Sequence, residues 1–232
     1  MTAGLTVTLS DQLAEIDAAM VLVHDGFVES GFMDPEPSGR RVIPHYLTPG
    51  TFFALAHLDG VPIGAMSVIP EGPWGLPSAH TFGEEMAAAG ELGPLVEVGS
   101  LVVAAEHRAL TRQVFMHQVA AVIRVLHARG DDPVPFVTVA PEQERFYTAL
   151  FGLERYGAER PLYGVPAVGL AHRIGHVVDH VFTGSTMARR TMARLISDPD
   201  PAWLRNRLAE RVPHPVPAPG ARDVVSGASG PG

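Results

Sequence analysis

The chain of 232 residues contains no cysteine and no lysine. Without cysteine there are no disulfides, no thiolate metal ligands and no thiol nucleophile, a composition that suits a reducing compartment. Without lysine there is no Schiff-base amine, no phosphate-loop lysine and no anchor for pyridoxal chemistry. Every formal positive charge is therefore arginine, and the 25 acidic residues outnumber them to give a net charge of -8. That balance excludes general nucleic-acid binding, which needs a concentrated basic surface. No apolar run approaches the roughly 18 residues of a membrane span, and Met1 to Ser10 lack the basic and apolar segments of a signal peptide. A cytoplasmic protein with no membrane span is expected.

What is present describes a globular chain, with 46% hydrophobic and 18% charged residues. Apolar residues at Leu13, Ile16, Ala19, Met20, Val23 and Phe27 predict a helix over Asp11 to Phe32, with Ser10 as its N-cap. After a Pro/Gly-rich loop at Asp34 to Gly39, the runs Thr51 to His57 and Val61 to Ile69 flank an Asp-Gly turn and predict a hairpin. A short helix is expected at Phe82 to Ala89. Leu95 to Ala104 reads as a buried strand broken by Glu97, Gly99 and Ser100. It leads into an amphipathic helix over Glu106 to Arg129 that Gly130 ends.

Pro135 to Ala140 predicts a further strand, Pro141 to Phe151 a short helix, and Leu162 to Leu170 a last strand interrupted by Gly164 and Pro166. The order is that of an α/β protein with a mixed sheet and a parallel pair at its centre. The expected organisation is a domain over 1–175, a helical extension over 176–212, and a Pro/Gly-rich disordered tail over 213–232.

Two segments resemble a known family. The stretch Gly75 to Val103, GLPSAHTFGEEMAAAGELGPLVEVGSLVV, is similar to the core of the FeeM-type long-chain N-acyl amino acid synthases, relatives of the homoserine-lactone autoinducer synthases. It carries a Gly-Leu-Pro loop at Gly75 to Pro77, Phe82 with Glu85 on a short helix, and a Glu-x-x-Ser strand from Glu97. The later stretch ERFYTALFGLERYG, Glu144 to Gly157, resembles the family's tyrosine motif. The resemblance covers roughly residues 11 to 172 and implies a GNAT-like acyltransferase fold. It also implies N-acyl transfer to an amino acid or similar small-molecule amine, with acyl carrier protein or coenzyme A thioester as donor co-substrate and no tightly bound cofactor.

Two departures qualify what the resemblance implies. Ordinary acetyltransferases place a glycine-bearing pyrophosphate loop where this chain has Arg108, Ala109, Leu110, Thr111, Arg112 and Gln113. The missing glycines favour the single phosphate of a carrier protein's pantetheine. Ser100 stands where autoinducer synthases have arginine, so their lactonisation chemistry is not expected. A non-catalytic module sensing an acyl carrier or metabolite, and an ordinary acetyl-coenzyme A acetyltransferase, are the competing readings.

Transfer from thioester to amine needs a neutral amine, a polarised carbonyl and a proton for the leaving thiolate. Glu97, among Leu95, Val96, Val98, Leu101 and Val102, is the candidate general base, or else the partner of an arginine. Gly99 and Ser100 suggest either a bulge with a free amide or an ordinary edge position. Tyr147 is either the acid for the thiolate, as the resemblance implies, or a core residue. Arg108 and Arg112 at a helix N-terminus suit a phosphate, with Leu101, Val103 and Thr111 completing the donor site. Phe53, Trp74, Leu76 and Phe82 (with Phe52) line the substrate pocket or belong to the core. His172, His176 and His180 recur every fourth residue, but Gly175 interrupts them and no metal is expected. Arg189, Arg190, Arg194, Arg205 and Arg207 offer a surface to an acidic carrier protein.

Overall fold

The computed structural model describes residues 4–208, so the expected tail over 213–232 lies outside the described residues. Eight strands form one mixed sheet in the order β6-β7-β5-β4-β3-β2-β1-β8. The leading strand β1 (Leu5–Ser10) precedes the first helix α1 (Leu13–Glu29). The sequence LTVTLS alternates apolar and hydroxyl residues, which sequence reasoning overlooked. Ser10 ends this strand, and Gln12 occupies the N-cap position expected of it.

β2 (Phe52–Leu58) and β3 (Val61–Pro70) form the expected hairpin. Asp59 and Gly60 both have positive φ, 52° and 88°, as a two-residue type I′ turn demands. The helix α2 (Ala79–Gly90) is longer than expected and kinked at Phe82. Next come β4 (Leu95–Val103) and a 3-10 helix over Ala105–Leu110, so that α3 (Thr111–Ala128) starts five residues later than the periodicity predicted. β5 (Val134–Val139) and α4 (Glu144–Phe151) follow.

The single interrupted strand predicted at Leu162 to Leu170 is a hairpin. β6 (Glu154–Leu162) and β7 (Val165–Ala171) pair antiparallel around Tyr163 and Gly164, whose φ values are 53° and 80°.

Alternation along the central strands distributes side chains to two faces. Val7, Leu9, Ala54 and Met66 pack against Val114, Phe115 and Ile123 of α3. Phe53, Leu55, Ala65 and Ile69 face Ala19, Val23 and Phe27 of α1. A third cluster joins Phe82, Met86 and Ala89 of α2 to Phe136 and Ala171. Helices thus cover both faces of the sheet.

The region expected as a helical extension is built into this core. α5 (Ile174–Thr183) and α6 (Met187–Ser197) bury Ile174, Val177, Val181 and Met192 in the α3-side cluster. The segment then ends in a strand, β8 (Leu204–Arg207), parallel to β1, where helix was expected. Its sequence LRNR has no apolar period: Leu204 alone packs against the core, and the pairing with β1 is made by the backbone. Met192 is 0% exposed. Met192→Ala is expected to destabilise the protein by about 2–5 kcal/mol, in one cooperative transition by chemical denaturation with circular dichroism; a separate early transition would mark 176–208 as an independent unit.

Candidate active site

The site begins with a break in hydrogen bonding. β4 and β5 run parallel and pair only over Leu95–Val134, Val96–Pro135 and Glu97–Phe136, after which they diverge. On its other side β4 pairs with β3, where Ser67 faces Gly99 and Ala65 faces Val102. Ser100 and Leu101 therefore oppose Met66 alone, a β-bulge, and Ser100 has φ 50°. The bulge turns β4 away from β5, and the apex of the fork is Glu97, still held by Ile69 on one side and Phe136 on the other.

A cavity of about 420 Å³ occupies the fork. At one end it is bounded by Phe27, Arg41, Glu97, Ser100 and Tyr163, and it extends between the strands to Val122, Ile123, Phe151 and Val177 on the α3 side. The lining is mostly aliphatic and aromatic, with polar groups from Arg41, Glu97, Ser100 and Tyr163 on one side and from Thr138, Gln143 and Tyr147 beside α4. The volume falls in the range of small-molecule sites, roughly 300–1,000 Å³.

The side chain of Glu97 is 7% exposed. Its Oε2 accepts a hydrogen bond of 3.0 Å from the Ser78 backbone amide, just ahead of α2. Burial drives its pKa from the ordinary 4.5 up to about 7, and the Ser78 amide and the Arg41 charge offset only part of that rise. A carboxyl raised toward neutral pH suits an acid–base role.

Arg41 was not singled out in the sequence. Its Nη1 donates to the Tyr46 hydroxyl at 3.0 Å and its Nη2 to the Tyr163 hydroxyl at 3.1 Å. The guanidinium lies over the ring of Phe27, 4.7 Å from the centroid. The Tyr46 hydroxyl is also 3.3 Å from Ser100 Oγ, so a polar chain links Arg41 to the bulge. Tyr163 packs edge-on to Phe27 and stacks on Phe32. A tyrosine in the left-handed conformation costs about 1–2 kcal/mol, and such outliers mark functional sites when the surroundings enforce them. No local motif flags Arg41, Tyr46 or Tyr163; they meet only in three dimensions.

Of the residues expected from the sequence, Glu97, Ser100, Leu101 and Tyr147 line the cavity together. Tyr147 packs among Phe115, Phe146 and Phe151, and burial pushes its pKa up to about 12, so its hydroxyl stays protonated. Val103, Arg108, Thr111 and Arg112 do not line it. Arg108 lies in the 3-10 helix, one element before α3, and pairs with Glu29 at 2.6 Å. Thr111 and Arg112 are exposed on the first turn of α3.

The four residues expected in a substrate pocket also stand elsewhere. Phe53 is fully buried against Tyr46, Leu76 and Phe82 belong to the α2 core, and Trp74 is half exposed on a loop. Their apolar character is used for packing, because α2 needs its own partner face. Glu85, as buried as Glu97, is a tie between elements: its Oε1 accepts from Arg160 Nε of β6 at 2.7 Å. The rings of His172 and His176 stack at 3.5 Å, and among the described residues no cluster has metal-holding geometry.

The mixed eight-stranded sheet with helices on both faces, forked at its central parallel pair, has the fold of the GNAT-like acyltransferases. The comparisons are narrower. The model of the family "N-acyl amino acid synthase FeeM" matches residues 18–173, well over half of the chain, and the chain belongs to that family. It is an N-acyltransferase.

Among solved structures it is similar to FeeM, an N-acyl amino acid synthase from uncultured soil microbes, with 21% identity and a TM-score of 0.63 over 82% of this chain and 99% of that one. It is also similar to BjaI, a coenzyme A-dependent acyl-homoserine lactone synthase, with 17% identity and a TM-score of 0.60 over 88% and 93% of the two chains. A putative N-acetyltransferase from Lactobacillus plantarum shares 17% identity at a TM-score of 0.51 over 74% and 99%. At these identities the likeness is one of fold. No sequence among the curated proteins matches the chain.

The raised pKa of Glu97 has a consequence for stability. The folded protein holds a proton that the unfolded chain has released, so stability falls as pH rises from about 4.5 to about 7. By pH 8 the loss is on the order of 3 kcal/mol. Glu97→Gln, which keeps an acceptor for the Ser78 amide, is expected to be nearly neutral at pH 4.5 and more stable than wild type at pH 8. Urea denaturation at the two pH values measures this, and an equal effect at both would contradict the assigned shift.

Proposed function

We propose that the enzyme transfers a long-chain acyl group from an acyl-carrier-protein or coenzyme A thioester to the amine of an amino acid or similar small molecule. The observation that carries this reading is the apolar reach of the cavity past Glu97 to Ile123 and Val177. An acetyl group needs no such depth, whereas a fatty chain would bury its methylenes there at about 0.8 kcal/mol each. The same apolar walls keep water from the thioester.

The chemistry follows from the groups at the fork. Glu97 takes a proton from the acceptor's ammonium, directly or through one water, and so frees the amine to attack. A backbone amide left unpaired by the bulge at Ser100 and Leu101 hydrogen-bonds the thioester oxygen as it gains charge. When the tetrahedral intermediate collapses, the C–S bond breaks, and the second amine proton ends on the sulfur. Tyr147, kept protonated by burial, donates a hydrogen bond to that sulfur as it leaves.

The donor's phosphate would lie at the start of α3. Arg112 is exposed there on the first turn, while Arg108 is engaged by Glu29. The absence of glycine between Ala104 and Gln113, where the chain forms a 3-10 helix, supports a single pantetheine phosphate over a pyrophosphate. Arg190 and Arg194 are exposed on α6 and would face an acidic carrier protein. Arg189, Arg205 and Arg207 are engaged by Ala149, Thr6 and Glu15 respectively.

Purified protein with acyl-carrier-protein and coenzyme A thioesters of graded length and a pool of amino acids should form N-acyl products detectable by mass spectrometry. Glu97→Gln should lower kcat by roughly 10²–10⁴-fold, and absence of product with every pairing would defeat the proposal. The wild-type kcat/KM should rise with pH up to about 7 as Glu97 ionises, a limb the variant should lack. Ile123→Phe, which fills the far end of the cavity, should shift preference to shorter donors; an unchanged chain-length profile would place the acyl group elsewhere.

A further inference from the structure

Among the residues that line the forked-strand cavity, Arg41 is the cationic one. Its neighbour Arg40 is saturated by Asp17, with contacts of 2.6 and 2.9 Å to the two carboxylate oxygens. Arg41 has no carboxylate within salt-bridge distance among the described residues. Only two of its five N–H groups donate there, both to phenols. Phenols hold a guanidinium in place without neutralising it, and the face of Phe27 fixes its plane. The result is a preformed, uncompensated fork of donors, the geometry that matches a carboxylate.

Its position narrows the ligand further. Arg41 belongs to the α1 side, with Phe27, whereas the aliphatic end of the cavity belongs to the α3 side. A second recess of about 390 Å³ adjoins the first and shares Phe27, Phe32, Arg41 and Tyr163 with it. Arg41 therefore stands at the junction between the space next to Glu97 and a separate space on the acceptor's side. Its charge reaches Glu97, whose carboxyl it draws downward.

We propose that Arg41 is the anchor for the α-carboxylate of the acceptor, positioned by Tyr46 and Tyr163, and that it makes the enzyme select α-amino acids over the corresponding simple amines. This rests on the acyl-transfer reading above. With the carboxylate on Arg41, the α-amine lies next to the carboxylate's own carbon, which brings it toward Glu97, and the acceptor side chain enters the second recess. A tyrosine at the first position of the β6–β7 turn, despite its left-handed backbone, is accounted for by this positioning role. Tyr46 does the same from the other side and ties the anchor to Ser100 of the bulge.

The test compares leucine, phenylalanine and tyrosine, each against its decarboxylated amine, with long-chain acyl-carrier-protein and acyl-coenzyme A donors in parallel and free thiol as readout. Wild type is expected to favour each amino acid by roughly 100-fold or more in kcat/KM. Arg41→Gln should raise the acceptor KM by roughly 10–100-fold, collapse the ratio within each pair, and leave the donor KM unchanged. Its pH limb should also move upward, because Glu97 loses a neighbouring positive charge. Tyr46→Phe, which removes one hydroxyl with little loss of volume, should shift the acceptor KM in the same direction by less. It serves as the deciding variant if thermal unfolding shows Arg41→Gln misfolded. Equal wild-type rates on amino acids and amines, or a raised donor KM in either variant, would overturn the anchor while leaving acyl transfer intact. No product from any acceptor with wild type would instead overturn acyl transfer, and the anchor with it.

Discussion

Two parallel strands at the centre of a sheet ordinarily stay hydrogen-bonded to their ends, and β4 and β5 do not. β5 continues to pair with β7 from Phe136 to Val139, and β4 continues with β3 through its bulge, so each strand is held on its outer side while their shared edge opens. The cavity and the residues that line it are placed by that opening. It creates a cavity inside the sheet instead of on its surface and gives that cavity walls from both helical layers. Glu97 sits where the last shared pairing occurs, so its backbone is fixed from both sides while its side chain borders empty space.

The electrostatics of the fork depend on what the surrounding residues withhold. Glu85 and Glu97 are buried to nearly the same degree and lie twelve positions apart, on either side of one loop. Glu85 has Arg160 against its Oε1 and fastens α2 to β6. Glu97 receives one backbone hydrogen bond and only the field of a more distant guanidinium. The same side chain is thus an ion-paired tie in one place and a carboxyl with no arginine bonded to it in the other, and the difference lies in the partner. A carboxyl whose pKa burial raises is a standing cost to folding at neutral pH and above.

Much of the architecture is legible from local patterns. Helical periodicity locates α1 and α3, the Asp-Gly pair locates the β2–β3 turn, and a glutamate within an apolar run foretells a buried carboxyl at Glu97. What local pattern misses has a common physical origin. β6, with the sequence ERYGAERPL, and β8, with LRNR, are exposed edge strands that contribute backbone pairing and little apolar surface, so no alternation marks them. Tyr163 and Gly164 read as an interruption because a two-residue turn of this hand is usually announced by asparagine or aspartate. Phe82 and Leu76 are visibly apolar, yet hydrophobicity alone does not say which of the three clusters a side chain joins. Arg41 meets Tyr163 across 122 positions, and nothing in a stretch of arginines and prolines distinguishes it from Arg40, which is spent on a surface ion pair. Site residues that sit on regular elements are readable from their neighbours in sequence; those supplied by a loop and a hairpin tip are defined only by the closed fold.

The pairing of β8 with β1 joins the last described strand to the first. During synthesis the outer edge of β1 therefore stays bare until Leu204–Arg207 has emerged, although β2 and β3 are able to cover its inner edge far earlier. For most of translation the nascent sheet presents a template onto which a foreign strand, including β1 of a neighbouring copy, would add. Chains cut short before Leu204 keep that sticky edge permanently. Self-association of shortened products is then a property of the topology, independent of whether the acyl-transfer chemistry at the fork is intact.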